Sequence, residues 1–176
     1  MSTKAGQLAR RLLKYRSECH PQNMIRGILR GATACLILAL SLTAAAQDKG
    51  YWRAASSNAN EITGDLSITN DKITINFDSF PIAQIRPLKP SESSAVFDED
   101  PGARGGGYLY RLNVPGARRF LHKNSLCGSD DTQWLATYVE GRALHVAFFS
   151  GADMPVLTPE ALANSTDVCG TFSYSR

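Results

Sequence analysis

Beyond residue 47, apolar and polar positions alternate with period two, the pattern of strands with one buried face. Over 61–69, Ile62, Leu66 and Ile68 share a face, with Gly64 between them. Asn70-Asp71 supplies a two-residue turn, and 72–77 returns with Ile73, Ile75 and Phe77 on one face against Thr74 and Asn76. This predicts a β-hairpin. Residues 80–88 predict a third strand, which Pro81 and Pro87 push toward an edge or a bulge. Residues 89–107 read as a long loop, SESS and then DEDPGARGGG, interrupted only by Ala95-Val96-Phe97. Alternation resumes over 108–114, with Tyr108, Tyr110, Leu112 and Val114 together before the Pro115-Gly116 turn. A short strand is predicted at 118–122.

The second clear hairpin has 133–139 and 142–149 flanking Glu140-Gly141. Both of its strands are apolar on both faces: Trp134, Ala136 and Tyr138 against Leu135 and Val139, then Leu144, Val146 and Phe148 against Ala147 and Phe149. Strands of that kind are covered on both sides. Thr158 followed by Pro159 predicts one short helix, and 172–174 a closing strand. Seven to nine short strands joined by hairpins make an all-β chain, an antiparallel barrel or sandwich. No βαβ alternation, repeat or heptad pattern competes with that reading.

The first 46 residues follow a different pattern. Ala32 to Ala46 is uncharged, lies just after Arg26 and Arg30, and ends in Ala44-Ala45-Ala46 before Gln47-Asp48. A basic region, an apolar run and an A-x-A site in that order form a secretory signal, predicted to be cleaved after Ala46. A run of 15 residues falls short of the ~20 that span a bilayer as a helix, so no stable anchor is expected after cleavage. Residues 1–23 form a basic extension or follow a misplaced start, since Met24 opens a complete signal of its own (residues 24–46). Cys35 is not a lipidation site, because the apolar run follows it.

Removing the signal changes the charge. Residues 1–46 carry seven basic and one acidic side chain, leaving twelve basic and fifteen acidic over 47–176, a net of −3. The basic pI of the whole chain is therefore no argument for nucleic-acid binding. Two of the four cysteines also leave. Cys127 and Cys169 remain, and in an oxidising compartment they most simply pair with each other. A redox or nucleophilic cysteine is the competing reading, and the absence of C-x-x-C speaks against it.

Candidate chemistry is sparse. His122 and His145 fall in no cluster with metal-ligand spacing, and neither Asp98-Glu99-Asp100 nor Asp130-Asp131 has the alternating oxygens of a calcium loop. No metal site and no cofactor are expected. Ser150 follows a strand, but G-x-S-x-G is absent, so a hydrolase stands third among the functional readings. Gly105-Gly106-Gly107 lacks a following Lys-Ser/Thr and reads as a hinge.

Gly50-Tyr51-Trp52 resembles the G-x-W that opens the first strand of lipocalin-type barrels, whose tryptophan plugs one barrel end. The resemblance implies a cavity for a small apolar ligand. Cys169-Gly170-Thr171-Phe172-Ser173-Tyr174, with Ser125 to Gly128 and Ala147 to Gly151, is similar to uncharacterised exported proteobacterial proteins with a C-terminal C-G-T-F-x-Y segment. That resemblance implies export and the disulfide, and no activity.

The leading expectation is a periplasmic or secreted, non-enzymatic domain holding a small apolar ligand among Trp52, Tyr108, Tyr110, Trp134 and Phe148. The alternative is an envelope interaction protein or enzyme inhibitor presenting the loop from Asp98 to Gly107 to a partner.

Overall fold

Eight antiparallel strands close into a barrel in which each pairs with its sequence neighbour and the first pairs with the last. They are β1 Gly50–Ala54, β2 Leu66–Ile68, β3 Lys72–Ile75, β4 Asp78–Pro87, β5 Gly106–Val114, β6 Thr132–Glu140, β7 Ala143–Phe149 and β8 Val168–Ser175. Two helices interrupt them, α1 Pro90–Phe97 and α2 Pro159–Ala163. The computed structural model describes residues 47–176, and the predicted signal and the extension before it lie outside them. Closure gives every strand a partner on each side. β1 makes it possible by splitting its partners: Gly50 to Trp52 pair with β2, while Arg53 and Ala54 pair with Ser175 and Tyr174.

Cross-strand partners share a face, so the register sorts the side chains. Tyr110 opposes Leu135, Leu135 opposes Phe148, and Val146 opposes Phe172. These belong to the inward set, with Trp52, Leu66, Ile68, Ile73, Ile75 and Leu144. The outward set on β5 to β7 is apolar too: Leu109, Trp134, Ala136, Ala147 and Phe149 form a second core with Leu157, under Val96 and Phe97 of α1 and Leu162 of α2. The double-faced hairpin is thus covered on both sides, as its composition predicts. Gly107 stands against this hairpin so closely that a Cβ there would lie 1.9 Å from the Thr137 carbonyl oxygen.

Four local expectations are corrected. Residues 61–69 are not one strand: a π-helical turn, Ala59–Thr63, takes up Ile62 and leaves only Leu66–Ile68 extended. Residues 90–97 form α1, not loop. Pro90 occupies its first turn, and the Glu92 carboxylate accepts the Lys89 N–H at 2.8 Å. Residues 118–122 form no strand. Phe120 instead tucks against Phe80 with ring centres 6.1 Å apart, and a 3-10 turn follows at Leu121–Lys123. Phe77 leaves the inward row of β3 altogether and sits at the hairpin tip.

Arg86 of β4 donates twice to Glu92, at 2.6 and 2.8 Å, tying α1 to the barrel. The Arg86 hydrogen bonds hold the Glu92 carboxyl below its usual pKa. A depressed carboxyl pKa gives stability that is present above the unfolded value, about 4.3, and lost as pH falls through the folded one. Opening of 90–97, read as loss of amide protection relative to intrinsic exchange, is therefore expected to quicken below about pH 4, ahead of the barrel strands. Glu92→Gln should quicken it already at neutral pH; equal protection in variant and parent would contradict this role.

Up-and-down order gathers the connections 55–65, 76–77, 115–131 and 150–167 at one barrel end. Phe120 and Leu126 cap that end, and Cys127 bonds to Cys169 across it, with Cα atoms 4.8 Å apart. The disulfide pairs the two cysteines as expected. Among the described residues no helix is long and apolar enough to cross a membrane.

Candidate functional site

Of the five aromatic residues expected around a ligand, Trp52, Tyr110 and Phe148 point into the barrel and are 0 % exposed. Tyr108 packs half-buried against the same core. Trp134 does not join them. It belongs to the outer core, because Leu135 takes the inward position opposite Tyr110. Leu135, Leu144 and Val146 are likewise 0 % exposed, and Phe172 and Tyr174 are 2 % and 1 % exposed. A void large enough for water would leave its walls open to it, and these side chains are closed to it. The Phe148 and Phe172 rings meet edge to face, 5.4 Å between centres.

The far end of the barrel is closed by a polar plug. Asp48 is 1 % exposed, and its Oδ2 accepts from Tyr110 at 2.7 Å and Thr137 at 2.8 Å. Among the described residues its Oδ1 has no hydrogen bond, and the Lys49 ammonium lies 3.8 Å from it. Lys49 also donates to the Tyr110 oxygen at 2.7 Å. Burial, and then the Asp48 carboxylate, push the Tyr110 pKa far up, so the phenol stays protonated. Trp52 donates its indole N–H to the Asp48 carbonyl at 2.8 Å, and the Arg176 guanidinium lies 3.9 Å over its ring. This polar cluster holds the N-terminal segment across the barrel mouth.

The outer surface is uneven. α1 and α2 cover β5 to β7, whereas β1 to β4 carry exposed apolar groups: Tyr51, Ile85 and above all Phe77, which is 97 % exposed. Asn76 and Phe77 both have positive φ, 47° and 70°, in the two-residue turn between β3 and β4. Such turns favour Asn-Gly, and a left-handed backbone costs other residues about 1–2 kcal/mol. Phe77→Gly is therefore expected to raise stability by about 1 kcal/mol in urea unfolding. A lower midpoint would mean that the ring packs on the barrel after all.

The loop from Asp98 to Gly107 follows α1. Glu99 approaches His145 Nε2 at 3.6 Å, and His145 Nδ1 lies 3.1 Å from Ser173 Oγ, its cross-strand neighbour. The acid stands beyond hydrogen-bond distance, and the Ser173 N–H is engaged by Ser56 Oγ. Ser150, the serine singled out in the sequence, lies 3.4 Å from the Asp167 carbonyl oxygen. His122 meets the Glu61 carbonyl at 3.1 Å.

A cleft of about 230 Å³ opens beside α2, with Trp134 and Phe149 among its lining and Met154, Val156, Asp153 and Asp167 around it. Nothing in the alternation pattern announces it, because its lining comes from β6, the end of β7 and residues 150–167, which meet across β7. Compared with known proteins, the chain matches no family model, no curated protein and no solved structure.

Proposed function

We propose that the chain is an exported, non-enzymatic binding protein that recognises a macromolecular partner from the outside of a solid barrel. The observation that carries this reading is the filled interior, with Trp52, Tyr110 and Phe148 packed at 0 % exposure where a ligand would have to sit. The disulfide and the signal read in the sequence support export. Aromatic exposure at Phe77 and Tyr51, and the carboxylates of Asp98, Glu99 and Asp100, give the outside the features of a recognition surface. A hydrolase gains no support from Ser173, His145 and Glu99, whose acid lies too far from the ring.

Titration with the apolar fluorophore N-phenyl-1-naphthylamine tests this reading. The expected result is no saturable rise in emission at protein excess. A one-to-one rise, abolished by filling the barrel with Val146→Phe, would place a ligand inside and overturn it.

A further inference from the structure

We propose that the cleft between α2 and the outer face of β6 and β7 docks a basic segment of a partner protein. A lysine or arginine side chain enters it, its aliphatic stem against Met154 and Val156 and its cationic head beside Asp153 and Asp167. This inference rests on the surface-recognition reading above and specifies where and with what chemistry it operates.

Size, lining and charge converge on that occupant. At about 230 Å³ the cleft is smaller than small-molecule sites, which run from about 300 to 1,000 Å³, and it suits a single long side chain. Its lining is aromatic and aliphatic, with Met154 50 % and Val156 64 % exposed at the rim. A bare cation gains nothing from such walls, whereas the stem of a lysine or arginine buries apolar surface there. Methionine adapts its shape to what it meets.

The charge is one-sided. Residues 150–167 hold Asp153, Glu160 and Asp167 and no Lys, Arg or His. Among the described residues the carboxylates of Asp153 and Asp167 form no ion pair and accept no hydrogen bond. Arg111 stacks 4.7 Å from the Trp134 ring, is held by Gln133, and does not line the cleft.

Two details indicate a built site. A Cβ at Gly151 would come within 2.6 Å of the Asp167 carboxylate, so glycine there lets that group lie against the backbone. Trp134 is 8 % exposed, yet its indole N–H, itself shielded from solvent, has no acceptor among the described residues. A buried donor without a partner is rare, and docking that shifts the cleft wall would give it a partner's backbone carbonyl.

The test is a titration of the 15N-labelled protein, expressed from its full sequence and processed by its host, with octa-lysine, octa-arginine and octa-glutamate. The expected result is that both basic peptides shift the amides of 150–167 and the Trp134 indole signal, and octa-glutamate shifts neither. Asp153→Asn with Asp167→Asn should weaken binding about tenfold, the sum of two exposed charge pairs. Met154→Ser with Val156→Ser should weaken it severalfold at unchanged charge, which diffuse attraction to acidic loops would not do. Shifts centred on Asp98 to Asp100, no shift at all, or indifference to the Met154 and Val156 changes would each overturn the docking site. Those outcomes leave the surface-recognition reading standing, since that reading fails only if the barrel itself holds a ligand.

Discussion

Truncating Phe148 to alanine is expected to lower the free energy of unfolding by about 3–5 kcal/mol, the range for deleting a buried aromatic ring. Phe148 is 0 % exposed and packs edge to face on Phe172. Its neighbours Leu135, Val146 and Ala147 are fixed by strand pairing on both sides and cannot collapse far into the space left. The vacated volume is lined by apolar groups and should stay dry, as engineered apolar cavities do, and accept benzene. Urea unfolding in the presence and absence of benzene therefore separates two barrels. The variant gains stability from benzene and the parent does not. A parent that gains as much as the variant already contains a void.

The second large effect concerns the disulfide. Replacing Cys127 and Cys169 together by alanine is expected to remove about 4 kcal/mol, the chain-entropy value for a loop of this length; the two residues are 42 apart in sequence. The structure adds where the loss is felt. Cys127 follows the segment whose Phe120 and Leu126 cap the barrel, and Cys169 opens β8, whose far end pairs with β1 to complete closure. Without the bond, amide protection should fall first in 115–131 and at the start of β8, and only later in β6 and β7. A loss below about 1 kcal/mol, or one spread evenly over the barrel, would show that the cap holds without the bond.

Most of the architecture is legible in the alternation. The hairpins around Asn70-Asp71 and before Leu144 follow from period-two patterning and turn chemistry, and Thr158 caps α2, accepting the Ala161 N–H at 3.3 Å. The places where the pattern misleads have identifiable causes. Gln133 to Phe149 is apolar on both faces, so sequence parity cannot say which row turns inward, and Trp134 is assigned to the interior in error. Only pairing with β5, where Tyr110 meets Leu135, decides it. The second hairpin turn is likewise off by one residue: Glu140 still pairs with Ala143, so Gly141 and Arg142 form the tip, with φ of 57° at Gly141. α1 is missed because SESS is turn-like in isolation; the Arg86–Glu92 pair that supports the helix joins residues of different elements.

The candidate sites are less legible than the fold, and for one physical reason. Asp48, Tyr110 and Thr137 come together from the N-terminal segment, β5 and β6, up to 89 residues apart. The cleft beside α2 depends in the same way on β6 and the 150–167 segment meeting across β7. Phe77 was visible as a residue but not as an exposed one, because alternation places it in the row of Ile73 and Ile75. The structure turns it out at the tip, where a glycine would suit the backbone better.

The central claim is that the barrel is solid and that recognition happens on its surface. Native mass spectrometry of the protein purified from the cells that make it, without heating or detergent, addresses that claim most directly. The account predicts either the bare mass of the disulfide-bonded chain or that mass plus a protein partner. A bound small apolar molecule that survives desalting and disappears only on unfolding would contradict it.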